Sequence, residues 1–182
     1  MTEPFEWPDF SAIPHEIRSL ALVGRYLQDF AYLENGIDMT IAAFLELAPP
    51  QQFILSPNIP FYSKIYILTT LVNSAFGNGR EAKSYLRAIN GASSASGWRN
   101  NLAHHPFKPS QANDGVQFLV VRAQGEVVFP DMDWSIARFE TECKKLTECE
   151  NKIAEMREAI LEGRAKIRAA IAALSYSTTK TT

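Results

Sequence analysis

Apolar residues recur along the first third of the chain in steps of three and four, at Phe30, Leu33, Ile37, Ile41 and Phe44. That spacing stacks them on one helical face and predicts a first helix from about Pro14 to Leu47. Pro14 suits a first turn, and Ser11 a cap before it. Pro49 and Pro50 in "APPQQF" end it, because a proline ring cannot continue a helix. A second helix is expected over Pro60 to Phe76, with Ile65, Leu68, Val72 and Ala75 facing inward and "GNG" at 77–79 as its stop. A third, short helix follows from about Arg80 to Ile89 and closes at Asn90-Gly91. Ser93, Ser94 and Ser96 offer caps for a fourth, which carries Arg99 to His104. It ends at His105, since Pro106 biases the residue before it away from helical backbone.

The texture then changes. "VQFLVVRAQGEVVFP" is rich in Val and Phe and broken at Gln124-Gly125, which predicts a small β-hairpin over 116–130. A lone hairpin is marginal, so it should pack on the helices. The last helix is expected from about Asp133 to Leu174, with Ile136, Phe139, Cys143, Leu146, Ile153, Met156, Ile160, Ile167 and Leu174 in heptad-like steps. At about 1.5 Å per residue it would be roughly 60 Å long, and the first helix roughly 50 Å. Two long helices suggest an antiparallel pair that the shorter ones complete. The fold expected is all-α: an up-down bundle of four to five helices over 14–174, with a β-hairpin insert. Residues 1–13 would be an N-terminal extension and 175–182 a polar, flexible tail.

Composition narrows the function classes. The chain has 182 residues, 46% of them hydrophobic and 21% charged, with a net charge of −2. That is a globular composition with no general pull on nucleic acid, so RNA or DNA would need a local basic patch. The acidic start lacks the basic-then-apolar order of a signal peptide, and no apolar run reaches about 18 residues. Cys143 and Cys149 are six residues apart in one helix, too far to bridge along it, and read as reduced thiols. A cytoplasmic protein without a membrane span, cofactor or metal cluster is expected.

The densest polar chemistry is "GWRNNLAHHPF" at 97–107. On a helix each residue turns about 100°, so Trp98 and Leu102 share one face and Asn100 and His104 another. Arg99 lies between, with a side chain long enough to swing to the Asn100/His104 side. Each group suits a phosphodiester. Guanidinium gives paired donors to phosphate oxygens, imidazole moves a proton near neutrality, and the amide orients either. The same residues also serve as an ordinary helix end, where Asn and His are common caps.

"RNNLAH" resembles the signature of the HEPN superfamily: an arginine, a polar residue directly after it, and a histidine four to six residues on. Here these are Arg99, Asn100 and His104. The order of the surrounding elements is also similar, with two or three helices before the motif and a long one after it. The resemblance implies a helical bundle and a metal-independent endoribonuclease that cuts by 2′-hydroxyl attack. It further implies a toxin or phage-defence effector, RNA as partner, a cognate antitoxin protein, and a homodimer whose two motifs meet at the dyad. Other members of the superfamily are catalytically inactive and bind a protein or nucleotide partner, which is the alternative reading. His105 also fits the spacing, but it pairs along the helix with Asn101 and is constrained by Pro106. His104 shares the face of Asn100 and is preferred. Asn101 and His105 are accessory or structural.

Three further groups complete the candidates. Glu34 and Asp38 are i,i+4 beside the first helix's apolar face, where they would do acid–base work, hold Arg99, or form a solvated edge. Between 80 and 108 the basic residues Arg80, Lys83, Arg87, Arg99 and Lys108 face a single acid, Glu81, whereas residues 1–50 carry eight acids against Arg18 and Arg25. Arg80, Lys83, Arg87 and Lys108 are thus the RNA-binding candidates, with a solvated basic face as the plain alternative. Tyr62, Tyr66 and Tyr85 read as core or groove residues, with base stacking as their other use.

Overall fold

The computed structural model describes residues 6–120, 122–123, 127–128 and 132–178. Among these are five α-helices: α1 (His15–Leu45), α2 (Pro49–Leu55), α3 (Phe61–Phe76), α4 (Arg80–His104) and α5 (Ile136–Thr178). The protein is an all-α bundle with a small β insertion. The apolar periodicity of α1 is the cause of its burial. Phe30, Leu33, Ile37 and Ile41 are all buried in the core, with Leu22 and Tyr26 below them. Glu46 ends α1 in the left-handed region at φ 53°, and the Leu47 N–H donates back to the Ala42 carbonyl.

Pro49 and Pro50 do more than stop α1. They occupy the first turn of α2, where a missing N–H costs nothing. This unforeseen helix and the 3₁₀ turn Ser56–Asn58 bring the chain back down, so that Phe61 at the start of α3 meets Phe30, 5.0 Å between ring centroids. At the other end Phe76 meets Phe44. α3 therefore runs parallel to α1. α4 descends, with Tyr85 against Phe76 and Trp98 against Trp134.

The expected antiparallel pairing of the two long helices is corrected. α5 runs parallel to α1: Tyr26 meets Trp134 just before α5, Thr40 reaches Ile153, and the Arg164 guanidinium donates to the Ala43 and Phe44 carbonyls. With α2 as a return stroke, α5 is the fifth alternating element and rises as α1 does. Arg164 also satisfies carbonyls that α1 leaves open at its C-terminus, where a cation is favoured.

A second correction concerns the middle of the chain. The two short helices expected around Asn90-Gly91 are one continuous helix, α4. Gly91 lies inside it and serves packing, because the space a side chain would need is taken. A Cβ there would lie 2.7 Å from the Cys149 sulfur on α5. The glycine sits where two helices approach, flanked by buried Ala88, Ile89 and Ala92. Ser94 and Ser96 donate back to the Asn90 and Ser93 carbonyls rather than capping a new helix.

The β region also differs from a single hairpin. β1 (Phe107–Pro109), β2 (Val116–Phe118) and β5 (Asp133–Trp134) form an antiparallel sheet in the order β1-β2-β5. β3 (Arg122–Ala123) and β4 (Val127–Val128) pair separately, which keeps the inner part of the expected hairpin. Its turn, Gln124-Gly125, lies outside the described residues. The N-terminal extension is built in, too. Phe10 is buried, Asp9 caps the 3₁₀ turn Phe10–Ala12, and Arg18 donates to the Ser11, Ile13 and Asp114 carbonyls; Ser11 lies inside that turn and does not cap α1, whose N-cap is Pro14 with no side-chain cap. Residues 1–5 lie outside the description. At the other end α5 includes 175–178 of the expected tail, while 179–182 and the side chain of Leu174 are not described.

Of the heptad positions on α5, Phe139, Cys143, Leu146, Ile153 and Met156 are buried within the chain's own bundle, and Ile167 is exposed. Cys143 and Cys149 are both free thiols, and burial raises the pKa of each. Among the described residues no helix is long and apolar enough to cross a membrane.

The helix approach at Gly91 makes a prediction. Gly97 on the same helix has open space where a side chain would go. Gly97→Ala should raise stability by about 0.5–1 kcal/mol through helix propensity and the stiffer unfolded chain. Gly91→Ala should lower it by about 1 kcal/mol despite the same propensity, because overpacking outweighs it. Adding Cys149→Ala should recover that loss. Denaturant melts of the variants read both signs, and equal gains at the two glycines would contradict this packing.

Candidate functional site

Trp98 and Leu102 face inward, as their spacing predicts. Leu102 is buried, and Trp98 packs edge-on against fully buried Trp134 at 5.3 Å. Fixing Trp98 fixes the rotation of α4. Arg99, one step around the helix, then points to the side of α1 and α3. Its guanidinium lies 5.9 Å from the Phe30 ring centroid, and its Nη1 donates to the Asn100 side-chain oxygen at 3.2 Å.

Arg99 and Asn100 line an open cleft of about 430 Å³ between α1, α3 and α4. Phe30 and Glu34 contribute from α1, Phe61 and Tyr62 from α3, and Pro57 and Pro60 from the segment joining α2 to α3. The two prolines give that wall fixed φ angles. His104 is exposed on the next turn of α4, on the face of Asn100, and does not line the cleft. His105 ends the helix in extended backbone, and its Nδ1–H donates to the Asn101 carbonyl at 3.1 Å. This is a helix-end contact made with the backbone of Asn101.

Glu34 and Asp38 are brought together, but around a residue that the sequence reading passed over. Lys64 of α3 is 3% exposed, and its Nζ sits 2.8 Å from both Glu34 Oε1 and Asp38 Oδ2. Neither carboxylate is paired with Arg99. Burial is the largest influence on Asp38 and raises its pKa against the opposing pull of Lys64. Burial works against the charge of Lys64, but its hydrogen bonds to Asp38 and Glu34 outweigh it and raise its pKa. The signal was available. Lys64 is the only charged residue in α3, and it stands on the same side as Ile65 and Leu68.

The basic candidates divide into two groups. Arg80, Lys83 and Arg87 are exposed on one face of α4, but Arg80 lies 19 residues from Arg99, about 28 Å along the axis. Lys108 is exposed on β1, just past His105. Only Lys108 is close in the chain to the motif, so the charge segregation seen in the sequence does not form one patch. Of the tyrosines, Tyr85 is buried, whereas Tyr62 and Tyr66 are exposed. Among the described residues no group of three or more His, Cys, Asp or Glu is placed to hold a metal ion. No known family, curated protein or solved structure matches the chain.

Removing Lys64 leaves two neighbouring carboxylates without their cation. Lys64→Met should destabilise the fold by about 2 kcal/mol at neutral pH, less than the ~3–5 of a fully buried pair because both acids keep some solvent. The raised Asp38 pKa sets the sign of the pH dependence. Native Asp38 holds its proton to higher pH than the unfolded chain does, so its contribution falls as pH rises through that window. As pH falls through that window Asp38 takes up its proton and the wild type loses that ion pair, so the deficit should shrink. Melts across that range check this; a deficit that grows on acidification would contradict it.

Proposed function

We propose that the protein is an endoribonuclease acting without a metal ion, with Arg99, Asn100 and His104 as its working groups. The observation that carries this reading is the Arg99 guanidinium, steadied by Asn100 at an open cleft, with an exposed imidazole one turn further along the same helix. His104 takes the proton from a ribose 2′-hydroxyl, and the oxygen attacks the adjacent phosphorus. The Arg99 donors stabilise the charge that builds on the phosphorane oxygens. The 5′-oxygen leaves and takes a proton, so the products end in a 2′,3′-cyclic phosphate and a 5′-hydroxyl.

His104 lies outside the cleft that holds Arg99, so the reading assigns the completed site to a homodimer in which groups from two chains meet. The exposed end of the α5 seam does not serve this contact. Arg168 there pairs with Glu46, about 25 Å along α1 from the level of Phe30 and Arg99. The second copy has to bind at the Arg99 end. A toxin or phage-defence role, with an antitoxin protein covering the site, belongs to the same proposal.

A second reading is favoured by the same fact. With His104 outside the cleft, the chain fits a catalytically silent module that binds a protein or nucleotide partner.

His104→Ala should lower RNA cleavage by about 10²- to 10⁴-fold with fold and assembly unchanged, and Arg99→Ala should be similarly damaging. His105→Ala should be milder. Chelators should leave the rate unchanged, and light scattering at micromolar concentration should give a dimer. Purified protein that cuts no RNA above the level of the His104→Ala control would end the ribonuclease reading in favour of the silent module.

A further inference from the structure

The chemistry of the cleft extends beyond Arg99. Tyr62, on the opposite wall, is 65% exposed, so its ring is open to solvent beside the cavity. It is held in place from one side by Tyr66, whose ring meets it edge-on at 4.5 Å between centroids and whose hydroxyl accepts from the Tyr62 hydroxyl at 2.6 Å. A ring kept rigid and left open to solvent is a stacking platform. Pro60 and Phe61 extend the apolar wall beside it. Glu34 stands on the same lining, and Lys64 takes only one lone pair of its Oε1, so both carboxylate oxygens keep acceptor sites.

We propose that this cleft is the base-recognition subsite for one nucleotide of single-stranded RNA, selective for guanine. The base stacks on Tyr62, its phosphate lies on Arg99, and the Glu34 carboxylate accepts from the base edge. The inference rests on the ribonuclease reading and names its substrate feature. A cleft of about 430 Å³ is within the size range of sites for a small ligand. The selectivity follows from donors and acceptors. A carboxylate only accepts, and among the four bases guanine alone presents two adjacent N–H groups, N1–H and N2–H, on its Watson–Crick edge. Lys64, shared with Asp38, offsets part of the Glu34 charge from below, which lessens its repulsion of the phosphate on Arg99.

The test is binding, separate from cleavage. The probes are 2′-O-methyl hexanucleotides UUGUUU and UUAUUU, which lack the attacking hydroxyl, titrated against the full chain by fluorescence anisotropy. The wild type should bind UUGUUU several-fold more tightly than UUAUUU. Tyr62→Ala should weaken UUGUUU binding about tenfold, the loss of one base–aromatic stack, and Tyr62→Trp should keep it. Glu34→Gln should remove the preference for UUGUUU. Thermal melting shows whether losing the Lys64 partner has unsettled that variant, in which case Tyr62→Ala, at an exposed position, decides the stacking and the wild-type ratio of UUGUUU to UUAUUU affinity decides the selectivity, equal affinity overturning it. No binding of either probe, or equal binding by Tyr62→Ala and wild type, overturns the proposal. Tyr62-dependent, guanine-selective binding by a protein that cuts no RNA would uphold this subsite and end the ribonuclease reading instead.

Discussion

The contact on which the rest of the structure depends is the packing of Trp134. This side chain is wholly buried where the sheet passes into α5. Tyr26 of α1, Trp98 of α4 and Phe118 of β2 meet it edge-on, as does Phe139 of α5, while the Arg138 guanidinium lies 4.6 Å from its ring centroid. One indole thus joins two of the long helices, the sheet and the start of a third helix. Its Nε1 has no hydrogen-bond partner among the described residues, so the position is held by shape and ring electrostatics rather than by polar pairing. Gly115 belongs to the same constraint, since a Cβ there would fall 1.9 Å from the Trp134 carbonyl oxygen. By fixing Trp98, the cluster sets which way Arg99 points, and so links the core to the cleft.

The electrostatics of the cleft follow from a buried cation below it. Lys64 sits between two acids that would otherwise repel each other, and its single charge offsets one of the two. With Glu34 and Asp38 so occupied, the guanidinium is left to Asn100, the Phe30 ring and solvent. A buried ion pair is expensive to form, so it contributes to orientation more than to net stability. The cleft walls add rigidity from two sources: the prolines that bound the α2–α3 connection, and the Tyr62–Tyr66 pair on α3.

Much of this was legible in the chain. The three- and four-residue steps locate α1 and α3 to within a few residues, and the spacing of Trp98 and Leu102 gives the buried face of α4. The misses share a physical origin. Gly91 reads as a break because its cause, the Cys149 sulfur, is 58 residues away on α5. Pro49 and Pro50 read as a stop because the same ring that ends one helix suits the first turn of the next. Strands of two or three residues are too short to show alternation, which hid β1 and β5. Helix direction depends on how many times the chain returns, so missing α2 accompanied the wrong pairing of α1 with α5. At the site, Arg99 with Asn100 was visible from local spacing. The roles of Glu34 and Asp38 were not, because Lys64 reaches them only through the tertiary fold.

The central claim is that Arg99 and His104 act together across two chains. Mixing the inactive Arg99→Ala and His104→Ala proteins under conditions that exchange subunits tests it directly. A mixed dimer keeps one intact Arg99 and one intact His104 on different chains. The account predicts that RNA cleavage returns in the mixture, to about a quarter of the wild-type rate if subunits assort at random and one of two composite sites is restored per mixed dimer. Two inactive proteins that exchange subunits and stay inactive would contradict it.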